Sequence, residues 1–330
     1  MTLSDVSVKL DDRARLMSAA LAATRFPDVA QDRRPHGTHA HARATRKFVS
    51  AFKSHDAITA LQTLLDQRAP MEALFTLALV MRMPDFSVER PPRWMPARWN
   101  EMLRDFYERA DLTHWWEETS EEWTKAVEDS TRMFTGIQFK PFLSQFIGDI
   151  QERFFFMPNI CYPGDQELGV RLGNDLVAII PPRLAWGDSP PWPYDEDPAY
   201  IYRTALAQYG RSLLMNYLRI HSNKIAEIAQ TPLPVGDQFQ SMYPTWQEQF
   251  TNLFVAGAAA IYLEDHMSKA EADAYVLMER KVRGITILPG MISVLRRYLN
   301  EKAAGRYESL IDFLPMFPRQ LKVANRIVAL

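Results

Sequence analysis

Between residues 152 and 184 the hydrophobic period of this chain changes, and the change constrains its fold class more than any other feature. ERFFFMPNI is rich in aromatics, and GVRLGNDLVAII holds two short strand-like runs that meet at Gly173-Asn174. Gly and Asn tolerate the positive φ of a tight hairpin turn, so the segment predicts a small antiparallel sheet. Elsewhere apolar residues recur at helical spacing. One sheet set into such a chain predicts an α+β protein, mostly helical, with the sheet preceding a long central helix.

The helical segments follow from spacing and punctuation. Residues 11–25 place Leu16, Ala19, Ala20 and Ala23 on one face after an acidic first turn, which predicts an amphipathic surface helix. Further helices are expected over 39–53, with Thr38 as its cap, over 55–68 behind Ser54, and over PMEALFTLALVMRM with proline in the first turn. A proline-rich connector spans 84–97, after which WNEMLRDFYERA and SEEWTKAVEDSTRMF resume the period. Asp197-Pro198 reads as an N-cap followed by proline at N1, opening a long helix to about Ile220. Helices are also expected at 245–267, 269–283, 290–304 and 308–328. The chain reads as a single domain, or as two lobes divided at 187/188, because the proline-rich segments are short enough to be internal loops.

Composition narrows the function classes. With 38 Lys and Arg against 40 Asp and Glu, no overall field draws the molecule to nucleic acid or an acidic membrane. A single cysteine, Cys161, excludes an internal disulfide and a thiolate metal cluster, and no basic neighbour in sequence activates it. The first residues lack the pattern of a signal peptide, and LFVAGAAAIYL at 253–263 is too short to span a bilayer, so a cytoplasmic protein without a membrane partner is expected. No glycine-rich phosphate loop and no G-x-S-x-G elbow occurs, and no cofactor is expected.

Two local features invite function. PHGTHAHAR places His36, His39 and His41 within six residues in a chain with seven histidines, and His55 follows. A catalytic metal needs ligands on rigid elements oriented by acceptors behind them, whereas these residues lie beside Gly37 among positive charges. A structural or surface role is expected for them, with a metal-dependent hydrolase built on His36, His39 and His41 as an alternative function. From Arg33 to Lys53 there are six basic residues and no acidic one before Asp56. Without exposed aromatics or a recognisable module, this segment predicts a solvated face or protein interface rather than a nucleic-acid site.

The order of features carries a resemblance. A helical first half, then FYERADLTHWWEE, aromatic strands, a hairpin, a long helix entered through Asp-Pro, and finally AAAIYLEDHMSKAEADAYVLMERKVRG resemble a family of uncharacterised bacterial zincin-like proteins, related in architecture to gluzincin metallopeptidases. The likeness covers roughly residues 40–320. In active relatives the long helix carries His-Glu-x-x-His, two imidazoles for zinc and a glutamate as general base, and a later helix adds a carboxylate ligand. The resemblance puts Ala207, Gln208 and Arg211 at the first three positions and Asn252 at the last. Alanine has no donor atom, glutamine is no carboxylate base, and arginine brings a fixed positive charge to the place of a dication. The resemblance thus implies a pseudoenzyme, a scaffold whose former cleft binds a protein, peptide or anionic partner through Arg211 and Gln208, with Trp186 and Trp192 along its wall. A purely helical interaction module is a further alternative, and such a module would lack the 152–184 sheet.

Overall fold

The structure, a computed structural model, describes residues 3–33, 39–184 and 192–328, with 31–33 and 323–328 by backbone alone. In chain order the elements are β1 (Val6–Val8), α1 (Asp12–Ala23), α2 (Phe26–Arg33), α3 (Ala40–Phe48), α4 (Asp56–Asp66), α5 (Met71–Leu79), α6 (Trp99–Arg109), α7 (Leu112–Glu118) and α8 (Ser120–Phe134). Then come α9 (Lys140–Ile147), β2 (Arg153–Pro158), β3 (Leu168–Leu172), β4 (Asp175–Ile180), α10 (Pro198–Ile220), α11 (Ser222–Ile228), α12 (Asp237–Met242), α13 (Trp246–His266), α14 (Lys269–Val282), α15 (Leu288–Ala303), α16 (Leu310–Phe313) and α17 (Phe317–Val328). The chain divides into two compact units, one of residues 1–137 and 152–201, the other of 138–151 and 202–330. The α+β class and the helical excess stand.

The first unit contains the sheet, in the order β1-β2-β4-β3. It is mixed rather than antiparallel. β3 and β4 form the hairpin, with Leu172 opposite Asp175 and Gly173 at φ 60°, but β1 pairs parallel to β2 and β2 parallel to β4. Parallel neighbours require crossovers, and here α1 to α9 lie between β1 and β2 in the chain. From Leu176 to Ile180 every residue of β4 is buried, as expected for a strand covered on both faces. On one face Phe156 meets Phe134 of α8 and Tyr194, at ring separations of 4.8 and 6.2 Å. The other presents Met157, Val177 and Ile179 to the apolar core shared with α1 and α5.

Helix α1 is not a surface helix. Every residue from Ala14 to Ala23 is buried, and α2, α3, α4 and α5 all contact it. Its alanines let neighbours close in on the side that periodicity assigns to solvent. Two expected caps also differ. His55, not Ser54, caps α4: its Nδ1 accepts the Ala57 amide at 3.2 Å, so Nε2 carries the proton and donates to Asp105 Oδ2 at 3.0 Å. Helix α3 starts at Ala40, and Thr38 lies outside the described residues. Asp197 does cap α10, accepting the Tyr200 amide at 2.9 Å.

In the second unit α13 is the central helix, buried continuously from Leu253 to Leu263. Its start is fixed by a reciprocal capping box between Thr245 and Glu248. Phe146 packs edge-on against Phe254 at 5.2 Å, Phe139 against Tyr262 at 5.1 Å, and Phe250 against Phe317 at 5.0 Å. Leu206, Tyr209 and Leu213 form the buried stripe of α10, and Tyr217 completes it by accepting the Ile311 amide at 2.9 Å. Among the described residues no helix is long and apolar enough to cross a membrane.

Candidate functional site

The stripe of α10 dictates what its other side carries. With Leu206, Tyr209 and Leu213 turned inward, Ala207, Arg211 and Met215 fall on a half-exposed to exposed side, and Gln208 sits buried at its edge. Residues 208 and 211 are one turn apart, so their side chains meet. Arg211 Nη1 donates to Gln208 Oε1 at 2.7 Å. Its Nη2 donates to Asn252 Oδ1 of α13 at 3.3 Å. Asn252 is oriented for this because its Nδ2 donates to the Glu248 carbonyl at 2.9 Å, which leaves Oδ1 facing the guanidinium. Three of the positions that the resemblance singled out therefore converge on one guanidinium, and Ala207 lies one turn from Arg211 on the same side.

The resemblance implies a protein, peptide or anionic partner for Arg211. The acceptors found are neutral amides. The nearest acidic residue along α13, Glu248, is occupied by its capping box, where Oε2 accepts from Thr245 N at 3.0 Å and from Thr245 Oγ1 at 2.8 Å. Among the described residues Arg211 has no ion-pair partner, and most of its N–H donors remain unused. The arrangement is a cation held in place by dipoles, with capacity for an anion. It offers a metal no imidazole, thiolate or carboxylate.

Trp192 belongs to the first unit, where the Arg183 guanidinium lies 4.8 Å from its ring centroid. Trp186 and His36 fall outside the described residues. His39 and His41 are embedded in the first unit. Trp123 Nε1 donates to His41 Nε2 at 3.1 Å, so that lone pair is committed and the proton sits on Nδ1. The same ring stacks on Trp115 at 6.0 Å. His39 is only 3% exposed, and among the described residues neither ring nitrogen has a hydrogen-bond partner of normal geometry. Burial pushes both imidazoles down to about 4, helped for His41 by the Arg15 charge and opposed for His39 by the Gly164 backbone. Among the described residues no group of three or more His, Cys, Asp or Glu side chains is placed to hold a metal ion. The basic segment is also less uniform in space than in sequence, because Arg46 pairs with Asp28 of α2.

A cavity of about 500 Å³ opens in the first unit, lined by Arg25, Phe26, Leu65, Arg68, Met71 and Asp165 among others. Its walls come from three separated segments. The single local signal is Arg68, an arginine where a helix C-terminus ordinarily places glycine. Compared with known protein families, curated proteins and solved structures, the chain matches none.

Proposed function

We propose that this chain is a non-catalytic binding protein on a zincin-like scaffold, and that the face of α10 and α13 around Arg211 takes a carboxylate of a peptide or protein partner. The observation that carries the proposal is the paired hydrogen bonding of Arg211 to Gln208 and Asn252 without an ion-pair partner among the described residues. A guanidinium in that state is pre-oriented and recognises a carboxylate through parallel N–H donors. Further support comes from convergence: the positions that hold zinc in active relatives would have to meet at one point, and Gln208, Arg211 and Asn252 do meet. Their side chains replace a dication's ligands with a fixed monocation and its dipoles.

The test is a calorimetric titration of the protein with short peptides that differ only in a free or amidated carboxyl end. The free acid is expected to bind more tightly, and Arg211→Gln to remove the difference. A charge-assisted hydrogen bond contributes about 1.5–3 kcal/mol, so the loss should be about 10- to 100-fold in affinity. Equal binding of both peptides, or full binding by a folded Arg211→Gln variant, overturns the reading. So does one zinc per chain that survives dialysis of untagged protein.

A further inference from the structure

The cavity in the first unit is of a size that suits a small organic ligand. Phe26, Leu65 and Met71 supply apolar wall. The charges around it sort into a closed pair and two groups without a protein partner among the described residues, the exposed Arg68 and the half-buried Asp165. Arg25 Nη2 reaches both carboxylate oxygens of Asp66, at 2.9 and 2.8 Å, and Gln62 Nε2 donates to the same carboxylate at 2.9 Å. That pair is closed. Arg68 and Asp165 are not paired with each other, and among the described residues neither side chain has an ion-pair or hydrogen-bond partner. Asp165 Oδ1 has no hydrogen-bond partner among the described residues and is shut off from solvent, so the cavity can meet this carboxylate only through Oδ2.

Arg68 is held where it is at a cost. It follows the end of α4 with φ 60°, in the left-handed region, while its amide donates to Leu65 O at 2.9 Å and the Ala69 amide to Leu64 O at 3.0 Å. This is the Schellman arrangement, in which glycine is the unstrained residue. A strained arginine on the wall of a cavity is better explained by its side chain than by its backbone.

We propose that this cavity binds a small zwitterion with an apolar body, a free apolar amino acid or a short apolar peptide, with its ammonium on Asp165 and its carboxylate on Arg68. Lone Asp165 and Arg68 match the two ends, the closed Arg25–Asp66 pair adds no net charge, and the apolar wall takes the side chain.

The test is a titration of the full chain with L-leucine, L-phenylalanine and the dipeptide Leu-Leu, each free, N-acetylated and C-amidated. Binding of the free forms is expected, and blocking either end should weaken it by about tenfold or more, the loss of one charge-assisted contact. Whether the amino acid or the dipeptide binds more tightly identifies the source of the zwitterion. Asp165→Asn should remove the discrimination against N-acetylation while leaving that against C-amidation. Arg68→Gly should bind at least about tenfold more weakly yet unfold at an equal or higher temperature, because glycine relieves the left-handed strain. No binding of any free form by folded protein overturns the proposal. So does equal binding of blocked and free forms, or unchanged binding by Arg68→Gly.

Discussion

Arg211 turns back along its own helix to give Nη1 to Gln208 Oε1 at 2.7 Å, and the acceptor is an amide rather than a carboxylate. The difference matters for pH. A guanidinium stays protonated throughout the accessible range, and neither Gln208 nor Asn252 titrates. Carboxylate binding at this face should therefore be flat from alkaline pH down to the region where the ligand's own carboxyl protonates, around pH 4. Titrations across that range check it. A midpoint near neutral pH would point to an imidazole instead, and so to a different site.

Stability has its own acid dependence, located in the first unit. His39 and His41 are held neutral, with burial pushing each down to about 4 from an ordinary value of 6.5. The unfolded chain thus binds more protons than the folded one between those limits, so stability rises with pH there. The full contribution is present above about pH 6.5 and is lost as pH falls towards 4, by a few kcal/mol in all. Chemical denaturation at successive pH values should show this slope. His39→Leu should reduce it without abolishing it, since His41 remains.

Cys161 should be inert in the native state. Burial pushes its thiol up to about 12, and the sulfur lies 3.8 Å from the Ser18 carbonyl oxygen that it faces. Only the thiolate reacts. Thiol reagents at mildly alkaline pH are expected to modify the folded protein no faster than it unfolds, and to label it promptly in denaturant. Prompt labelling under native conditions would mean that the loop after β2 opens on its own.

Local chemistry accounts for what the sequence made legible. The Gly173-Asn174 hairpin, the Asp197 cap and the bounds of α8 each depend on residues within one turn or one hairpin. β1 is different: Val6, Ser7 and Val8 are too few to carry a period, and their partners Phe154 to Phe156 are far along the chain. The burial of α1 is not legible in the sequence, because periodicity identifies the residues that can face inward, not whether the opposite face is covered as well. Ser54 and His55 are both competent caps, and only the position of Asp105 behind His55 separates them. At the candidate site, the meeting of Arg211 with Asn252 was reachable through the order of elements. The cavity was not, because Arg25, Arg68 and Asp165 share no local pattern and are assembled only by the packing of α2, α4 and the loop before β3.

The second unit depends on a close approach at Gly257. A Cβ there would lie 2.9 Å from Leu295 Cδ1 and 3.1 Å from Met291 Cγ, both on α15. The two side chains can give way to one methyl, and alanine gains about 1 kcal/mol of helix propensity, so Gly257→Ala should change stability little. Valine adds two further methyl groups against the same contacts. Gly257→Val should destabilise by about 1–3 kcal/mol, as overpacking does. Leu295→Ala in that background should recover part of the loss, a coupling that a double-mutant cycle of unfolding free energies measures directly.

Zinc ligation can be written back into the face from which we infer it was lost. Ala207→His and Arg211→His place two imidazoles one turn apart on α10, Gln208→Glu restores a base between them, and Asn252→Glu supplies a carboxylate from α13. The present side chains of residues 208, 211 and 252 already meet at hydrogen-bond distance, so the substituted ones start from neighbouring backbones. Removing the guanidinium also removes the charge that opposes a dication. The quadruple variant is expected to bind zinc stoichiometrically after dialysis, and the triple variant that keeps Asn252 to bind it more weakly. Circular dichroism distinguishes failure to ligate from failure to fold. A folded quadruple variant without zinc affinity would mean that these positions do not share the geometry of a metal helix, and the zincin-like reading would fall with it.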